Sequence, residues 1–247
     1  MYKNKEWLYN KYINEELSTV QIADMFEVCA NAISKWLVKY NIPRRSRAEA
    51  TYLASGNHCE LSESAINWIN GEMLGDGHIC STSKYSAKFQ YGSKYLEYIE
   101  YVRDTLKSFG IEQSGKIYKR INKKYGNTAY HYYSRAYPEL LPIRKQWYPE
   151  GKKIVPRDIK LTPLTIRQWY IGDGSLAHDK YSKNIILATY GFLIKDVKWL
   201  INQLTKIKIK ANRHKKNVIH ISAYSVKDFL EYIGECPIEC YQYKWNI

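Results

Sequence analysis

Apolar residues recur at helical spacing through the first stretch of the chain, then alternate between helical and strand periods to its end. Trp7, Leu8 and Tyr12 form one short stripe. Ser18 is a good N-cap for the run that continues through Val20, Ile22, Ala23 and Phe26. A further helix is expected from about Ala30 to Tyr40, with Ile33, Trp36 and Leu37 on its inner face. Pro43 stops it. Residues 1–42 therefore predict a small all-α unit, and 43–60 a polar basic linker.

From Leu61 the pattern becomes longer and repeats. A helix from Ser62 to Gly75 precedes a strand pair, His78–Cys80 and Ala87–Tyr91. Tyr95, Ile99, Val102, Leu106 and Phe109 then mark an amphipathic helix, which Gly110 stops. Strands are expected over Lys116–Ile121 and Ala129–Ser134, with a short helix from Pro138 to Gln146. The second half opens with Thr162 and Pro163 as N-cap and first helical residue. It continues with a strand at Ile185–Tyr190 and a helix marked by Ile194, Val197, Ile201 and Leu204. The strand Val218–Ala223 and a closing helix Val226–Ile233 complete it. The order αββαββα thus occurs twice, over 61–156 and 157–247, an α+β class.

Each half's first helix ends in the same letters: Gly75-Asp76-Gly77 and Gly172-Asp173-Gly174. An anion at a helix C-terminus is electrostatically unfavourable. Two at matching places call for a cation or another reason, and paired carboxylates suit a metal site. Gly71 and Gly75 share one helix face, where small residues let two backbones approach. Gln168 stands where Gly71 has its counterpart, so an asymmetric helix pair is expected.

Composition narrows the partner. The net charge is +14, and the segment before Leu61 is nearly neutral, so the repeat carries the excess. The chain has 24 tyrosines, many of them among these cations. Cations for phosphates and aromatic groups for sugars and bases point to nucleic acid. The N-terminal helices have a helix-turn-helix pattern, exposing Asn31, Ser34, Lys35 and Lys39 on the second helix. Arg44, Arg45 and Arg47 are expected along the phosphate backbone or a minor groove. No apolar run reaches bilayer length and no signal-peptide core is present, so a soluble, intracellular protein in cytoplasm or nucleoid is expected. The scattered Cys29, Cys59, Cys80, Cys236 and Cys240 read as free thiols.

On the duplicated Gly-Asp-Gly motif, with Gly71 in the first copy and Trp169 in the second, residues 61–247 resemble a single-chain, two-motif LAGLIDADG homing endonuclease. The resemblance implies a pseudo-two-fold saddle with the two motif helices at its centre and each half serving one DNA strand. It implies Mg2+ or Mn2+ held by Asp76 and Asp173, with the carbonyls of Gly75 and Gly172 beside them. It implies an active-site lysine in each half, assigned to Lys153 and Lys244, with Lys152 an alternative to the former. It further implies solvent-positioning polar residues, for which Gln90, Ser93 and Thr189 fit and Phe192 does not. The sheets would bring Lys116, Lys119, Arg120, Lys123 and Lys124 from one half to the major groove. Lys208, Lys210, Arg213, Lys215 and Lys216 would come from the other.

The partner implied is double-stranded DNA with a long asymmetric target, bound by a monomer. Two other readings use the same scaffold: an RNA-splicing maturase acting on intron RNA, and a non-cleaving helix-turn-helix transcription regulator. Retention of both aspartates ranks the second low. An intein-embedded nuclease is disfavoured because Met1 stands at the start and Trp245 precedes Asn246.

Overall fold

Short polar side chains start the helices of the N-terminal region, and apolar stripes hold them together. A computed structural model of the chain describes residues 1–47, 49–50, 57–121, 126–178 and 183–247. It forms two compact units, Met1–Asn57 and His58–Ile247. In the first, Asn4 caps α1 (Lys5–Tyr9), which continues as a π-helical turn over Asn10–Asn14. Ser18 and Gln21 form a capping box on α2 (Thr19–Asp24), satisfying both backbone amides reciprocally. The third helix, α3 (Ala30–Lys39), presents Ile33 and Leu37 to a core made with Leu8, Tyr12, Ile22, Ala23 and Ile42.

Arg45 departs from the expected free tether. Its guanidinium donates to the carbonyls of Leu17, at 2.8 Å, and of Tyr12, and lies over the Tyr12 ring at 4.2 Å. A guanidinium with two carbonyl acceptors and an aromatic face is a strap within this unit. Its assignment to DNA phosphates is corrected accordingly. Arg44 and Arg47 remain exposed.

The second unit repeats one order. Its first half contains α4 (Glu63–Leu74), β1 (His78–Ser83), β2 (Ser86–Ser93), α5 (Leu96–Ser108), β3 (Tyr118–Ile121), β4 (Thr128–Tyr133) and α6 (Leu140–Trp147). Its second half contains α7 (Pro163–Asp173), β5 (Gly174–His178), β6 (Lys183–Leu187), α8 (Ile194–Lys206), β7 (Ala211–His214), β8 (Val218–Ile221) and α9 (Val226–Ile233). A 3-10 segment, Glu239–Lys244, closes the chain. The sheets are antiparallel, ordered β1-β2-β4-β3 and β5-β6-β8-β7. Ser62 and Thr162 cap α4 and α7, accepting from the amides of Ala65 and Thr165.

One face of each sheet is covered by helices and the other is open. Residues directly opposite in an antiparallel pair share a face. Ile79, Phe89, Tyr91 and Tyr132 face the first half's core, and Ile185, Leu187, Ile219 and Ile221 the second's. The common core runs through both halves by way of α4 and α7.

Candidate active site

The two motif helices meet backbone to backbone. A Cβ on Gly172 would lie 3.3 Å from the Gly75 Cα and from the Asp76 amide nitrogen. A Cβ on Gly71 would lie 2.5 Å from the Thr165 carbonyl oxygen and 2.8 Å from the Gln168 Cβ. Glycine at 71 is therefore what makes room for glutamine at 168. Gln168 is fully buried and donates to the Tyr101 hydroxyl at 3.2 Å, while the Tyr98 hydroxyl donates to its Oε1 at 3.4 Å. The unmatched residue crosses into the other half and finds partners on α5.

This contact brings Asp76 and Asp173 to the same end of the helix pair. Asp173 is raised to about 7 by burial and then by Asp76, against the opposing pull of Lys153 and Lys244. Burial also raises Asp76, and the same two lysines pull it back. Asp76 nevertheless opens to solvent in a cleft of about 250 Å³ with His78, Gln90, Tyr91, Gly92, His131 and Tyr133.

The lysines reach this cluster from corresponding segments. The Lys153 ammonium donates to the carbonyls of Gly75 at 3.1 Å and Gly77 at 3.2 Å. Lys244 is buried and donates to the carbonyls of Ile171 at 2.6 Å and Tyr170 at 3.3 Å. Burial lowers both to about 8, and the two aspartates oppose that fall. Lys152 is exposed, without such contacts among the described residues. The Gly75 carbonyl is already an acceptor for Lys153, whereas Lys244 bonds to carbonyls preceding Gly172.

The two carboxylates are an oxygen donor pair. Among the described residues no group of three His, Cys, Asp or Glu side chains suffices alone to hold a metal. Two carboxylates completed by water and a substrate phosphate are the usual environment of Mg2+. Burial and, after it, the charge of Asp76 raise Asp173, and a divalent cation between the two carboxylates would offset both.

Three polar side chains were expected to position solvent, and the structure separates them. Gln90 shares the open face with His78, its register partner, and its amide donates to the Cys80 sulfur at 2.7 Å. Ser93 is buried, accepts from the Tyr95 amide and lies 3.5 Å from the Tyr241 hydroxyl. Thr189 is buried beyond the end of β6 and donates to the Asn217 carbonyl. The last two hold turns and do not line the cleft, so their assignment to solvent is corrected. Phe192, at the place matching Ser93, packs on Trp147 and lies 5.8 Å beneath the Lys153 ammonium. Each half thus sends one residue towards the lysine region of the other.

Register sorts the basic residues. The first sheet's open face carries Lys88, Tyr118, Arg120, His131 and Tyr133 along with His78 and Gln90. Lys119 pairs with Tyr130 on the helix-bearing side, so it leaves the expected set on that face. Lys116 is exposed ahead of β3, and Lys123 and Lys124 lie outside the described residues. In the second half Arg213 pairs with the buried Ile219 and also faces the helix side. Lys208 and Lys210 are exposed on either side of buried Ile209, in the approach to β7. Lys215 and Lys216 are exposed in the turn between β7 and β8. The expected basic strand of the second half is therefore mostly turn. Its open face instead carries Asn212, His214 and His220, the two imidazoles stacked at 4.5 Å. In the N-terminal unit Asn31, Lys35 and Lys39 are exposed and Ser34 is half-buried; the Lys39 ammonium rests 4.3 Å over Trp36.

Sequence reasoning missed His78, Lys88, His131 and Glu72. The alternation of β2 would have put Lys88 beside Gln90, but His78 and His131 needed the cross-strand register. Glu72 is fully buried on α4, one turn before Asp76, and accepts from the Tyr98 hydroxyl at 2.6 Å. Burial raises its pKa to about 8.

Comparison with known proteins agrees with this geometry. An uncharacterised protein of Methanocaldococcus jannaschii is 29% identical over 199 residues, which are 80% of this chain and 76% of that protein. The cytochrome b mRNA maturase bI2 of Debaryomyces hansenii is 28% identical over 176 residues, 63% of this chain and 61% of the maturase. The chain thus matches less than two thirds of the maturase's length. The fold is that of the homing endonuclease I-WcaI, solved bound to its DNA recognition sequence. Its TM-score is 0.65 at 19% identity, over 83% of this chain and 96% of that one. No described helix is long and apolar enough to cross a membrane. The LAGLIDADG DNA endonuclease family model matches residues 66–229, and the chain belongs to that family.

Proposed function

We propose that the protein is a site-specific double-strand DNA endonuclease. The observation that carries this reading is the pair of aspartates at touching helix ends, each half also supplying a lysine anchored at the same cluster. Asp76 and Asp173 would hold Mg2+ or Mn2+, which supplies Lewis-acid polarisation of the scissile phosphate and a more acidic bound water. The chain's residues do the remainder. Lys153 and Lys244, anchored on motif-helix carbonyls, keep positive charge where the transition state accumulates negative charge. Gln90 presents a polar side chain in the cleft. Lys88 and Arg120 on one open face, and Lys208, Lys210, Lys215 and Lys216 around the other, neutralise phosphates. The two halves act on opposite strands of one long asymmetric site, bound by a monomer.

The N-terminal unit is read as a helix-turn-helix module that lengthens the contact with DNA. Ser18 caps α2, and Asn31, Ser34 and Lys35 lie on the outer side of α3. Replacing Asn31 and Lys35 with alanine should shorten the footprint on one side and leave the cut positions unchanged.

The likeness to a maturase supports a second reading, action on intron RNA. One experiment separates the readings. Duplexes bound by the full chain are selected from random DNA in EDTA, and the selected duplex and a structured intron RNA are each incubated with and without Mg2+. Cleavage of both DNA strands only with Mg2+ is expected. Absence of cleavage with tight RNA binding would favour the maturase.

A further inference from the structure

The cleft beside Asp76 is lined by His78, whose pairing with Tyr148 the roles given so far leave unused. His78 follows Asp76 by two positions, and register sets it with Gln90 on the open face of the first sheet. Its Nδ1 lies 2.8 Å from the Tyr148 hydroxyl, the rings meeting edge to face at 73°. Tyr148 is buried at the end of α6, just ahead of Lys153, with the Arg144 guanidinium over its ring at 5.4 Å. With the phenol donating, His78 Nδ1 is the acceptor within reach among the described residues. Burial keeps that phenol protonated, pushed up to about 12. An imidazole accepting at Nδ1 carries its own proton on Nε2. In that arrangement the ring presents Nε2–H in the cleft it lines with Asp76.

Among the described residues the second half lacks this device. Ser175 stands two positions after Asp173, on the open face of β5, and its side chain is too short to span the same gap. The two carboxylates are matched, but their neighbours are not.

We propose that His78 is a further catalytic residue of the first half, donating from Nε2–H to a non-bridging oxygen of the scissile phosphate on one DNA strand. Water adds to phosphorus and gives up a proton to solvent. The P–O bond to the leaving alkoxide breaks and that oxygen takes a proton from solvent, while His78 stabilises the charge on the non-bridging oxygen without giving up its own proton. Tyr148 is the positioning residue that fixes the tautomer. The other strand is cut without this donor, so the strands are cut at unequal rates and a nicked intermediate has a fixed polarity. The inference rests on the endonuclease reading of the same site.

The test uses the full chain and a duplex selected from random DNA in EDTA, each strand labelled separately, with Mg2+ at saturating protein. Wild type should cut both strands, one faster. His78→Ala should slow that strand by about 10- to 100-fold, the range of one lost transition-state donor, with little change in the other strand or in Kd. His78→Gln places an amide donor near the lost Nε2–H and should recover much of the rate. Added imidazole should partly restore His78→Ala, which a purely structural role would not permit. Tyr148→Phe should show a smaller loss on the same strand. Equal slowing of both strands, or a rise in Kd with unchanged cleavage at saturation, would overturn the assignment while leaving the nuclease reading intact. Failure of wild type to cut either strand would overturn both.

Discussion

The two halves of the second unit share a backbone order and differ in almost every polar residue that faces the cleft. In the first, α4 carries Gly71 and Glu72, β1 carries His78, and Lys88 and Arg120 stand on the open face. In the second, the same places hold Gln168, Trp169 and Ser175, and the cations move out to turns around β7 and β8. What stays constant is the glycine at the helix crossing, the aspartate after it and a lysine anchored on motif-helix carbonyls. The constancy follows from geometry, because two helices can touch at their ends only where neither carries a Cβ that intrudes. The reading faces carry no such constraint. A two-fold backbone can therefore present two unlike surfaces, as an asymmetric partner requires.

The sharpest way to break the comparison is to remove what the halves share. Asp76→Asn and Asp173→Asn should each reduce Mg2+-dependent double-strand cleavage by about 1,000-fold or more, roughly 4 kcal/mol of barrier, with Kd little changed. Strand-resolved single-turnover kinetics check this, and either variant cutting both strands at the wild-type rate removes that carboxylate from the site. The lysines come next. Lys153→Met and Lys244→Met should lower turnover by about 100-fold at saturating DNA, with a modest change in Kd. Lys244→Met should also lower Tm more than Lys153→Met, since Lys244 is the more buried and caps two carbonyls inside the core.

The unlike pair Gly71 and Gln168 gives a stability test. A methyl at 71 meets the backbone of α7, which cannot swing aside as a flexible side chain would. Gly71→Ala should cost about 3 kcal/mol in denaturant unfolding, the upper range for overpacking. A loss below about 1 kcal/mol would mean that the helices separate easily.

The smallest expected effect sharpens the contrast between Glu72 and Trp169. Burial raises Glu72 to about 8, so the folded protein binds that proton more tightly than the unfolded chain. A carboxyl raised in this way contributes fully below its unfolded pKa. Its contribution is lost as pH rises towards about 8. Metal-free protein should thus lose Tm between about pH 5 and 8, a loss shared with Asp173, which is raised to about 7. Glu72→Gln, neutral at every pH, should flatten that decline and be more stable than wild type at high pH by about 1–2 kcal/mol. Identical pH profiles would show that Glu72 ionises without penalty.

Much of this was legible in the letters. Helix starts at Ser18, Ser62 and Thr162 need only a hydroxyl beside a free amide, which is local chemistry. The helical and strand periods gave the repeated order, and Gly75-Asp76 and Gly172-Asp173 marked the helix ends that meet. The basic stretches were harder. Lys119 and Arg213 look like their neighbours in sequence, and only pairing with Tyr130 and Ile219 turns them to the helix side. Ser93 and Thr189 have the right chemistry for a water pocket, but tertiary turns bury both.

The sequence by itself determined the repeat, the paired carboxylates and the balance of charge, because periodicity, capping and composition are properties of neighbouring residues. Tertiary structure decided which side of each sheet a cation occupies, that Arg45 straps its own unit, and that Gln168 finds partners on α5. It also decided that His78 and Asp76 line one cleft and that Tyr148 holds the His78 ring there. Those placements depend on strand register and on the meeting of segments far apart in the chain, and a one-residue slip in register would reverse every face.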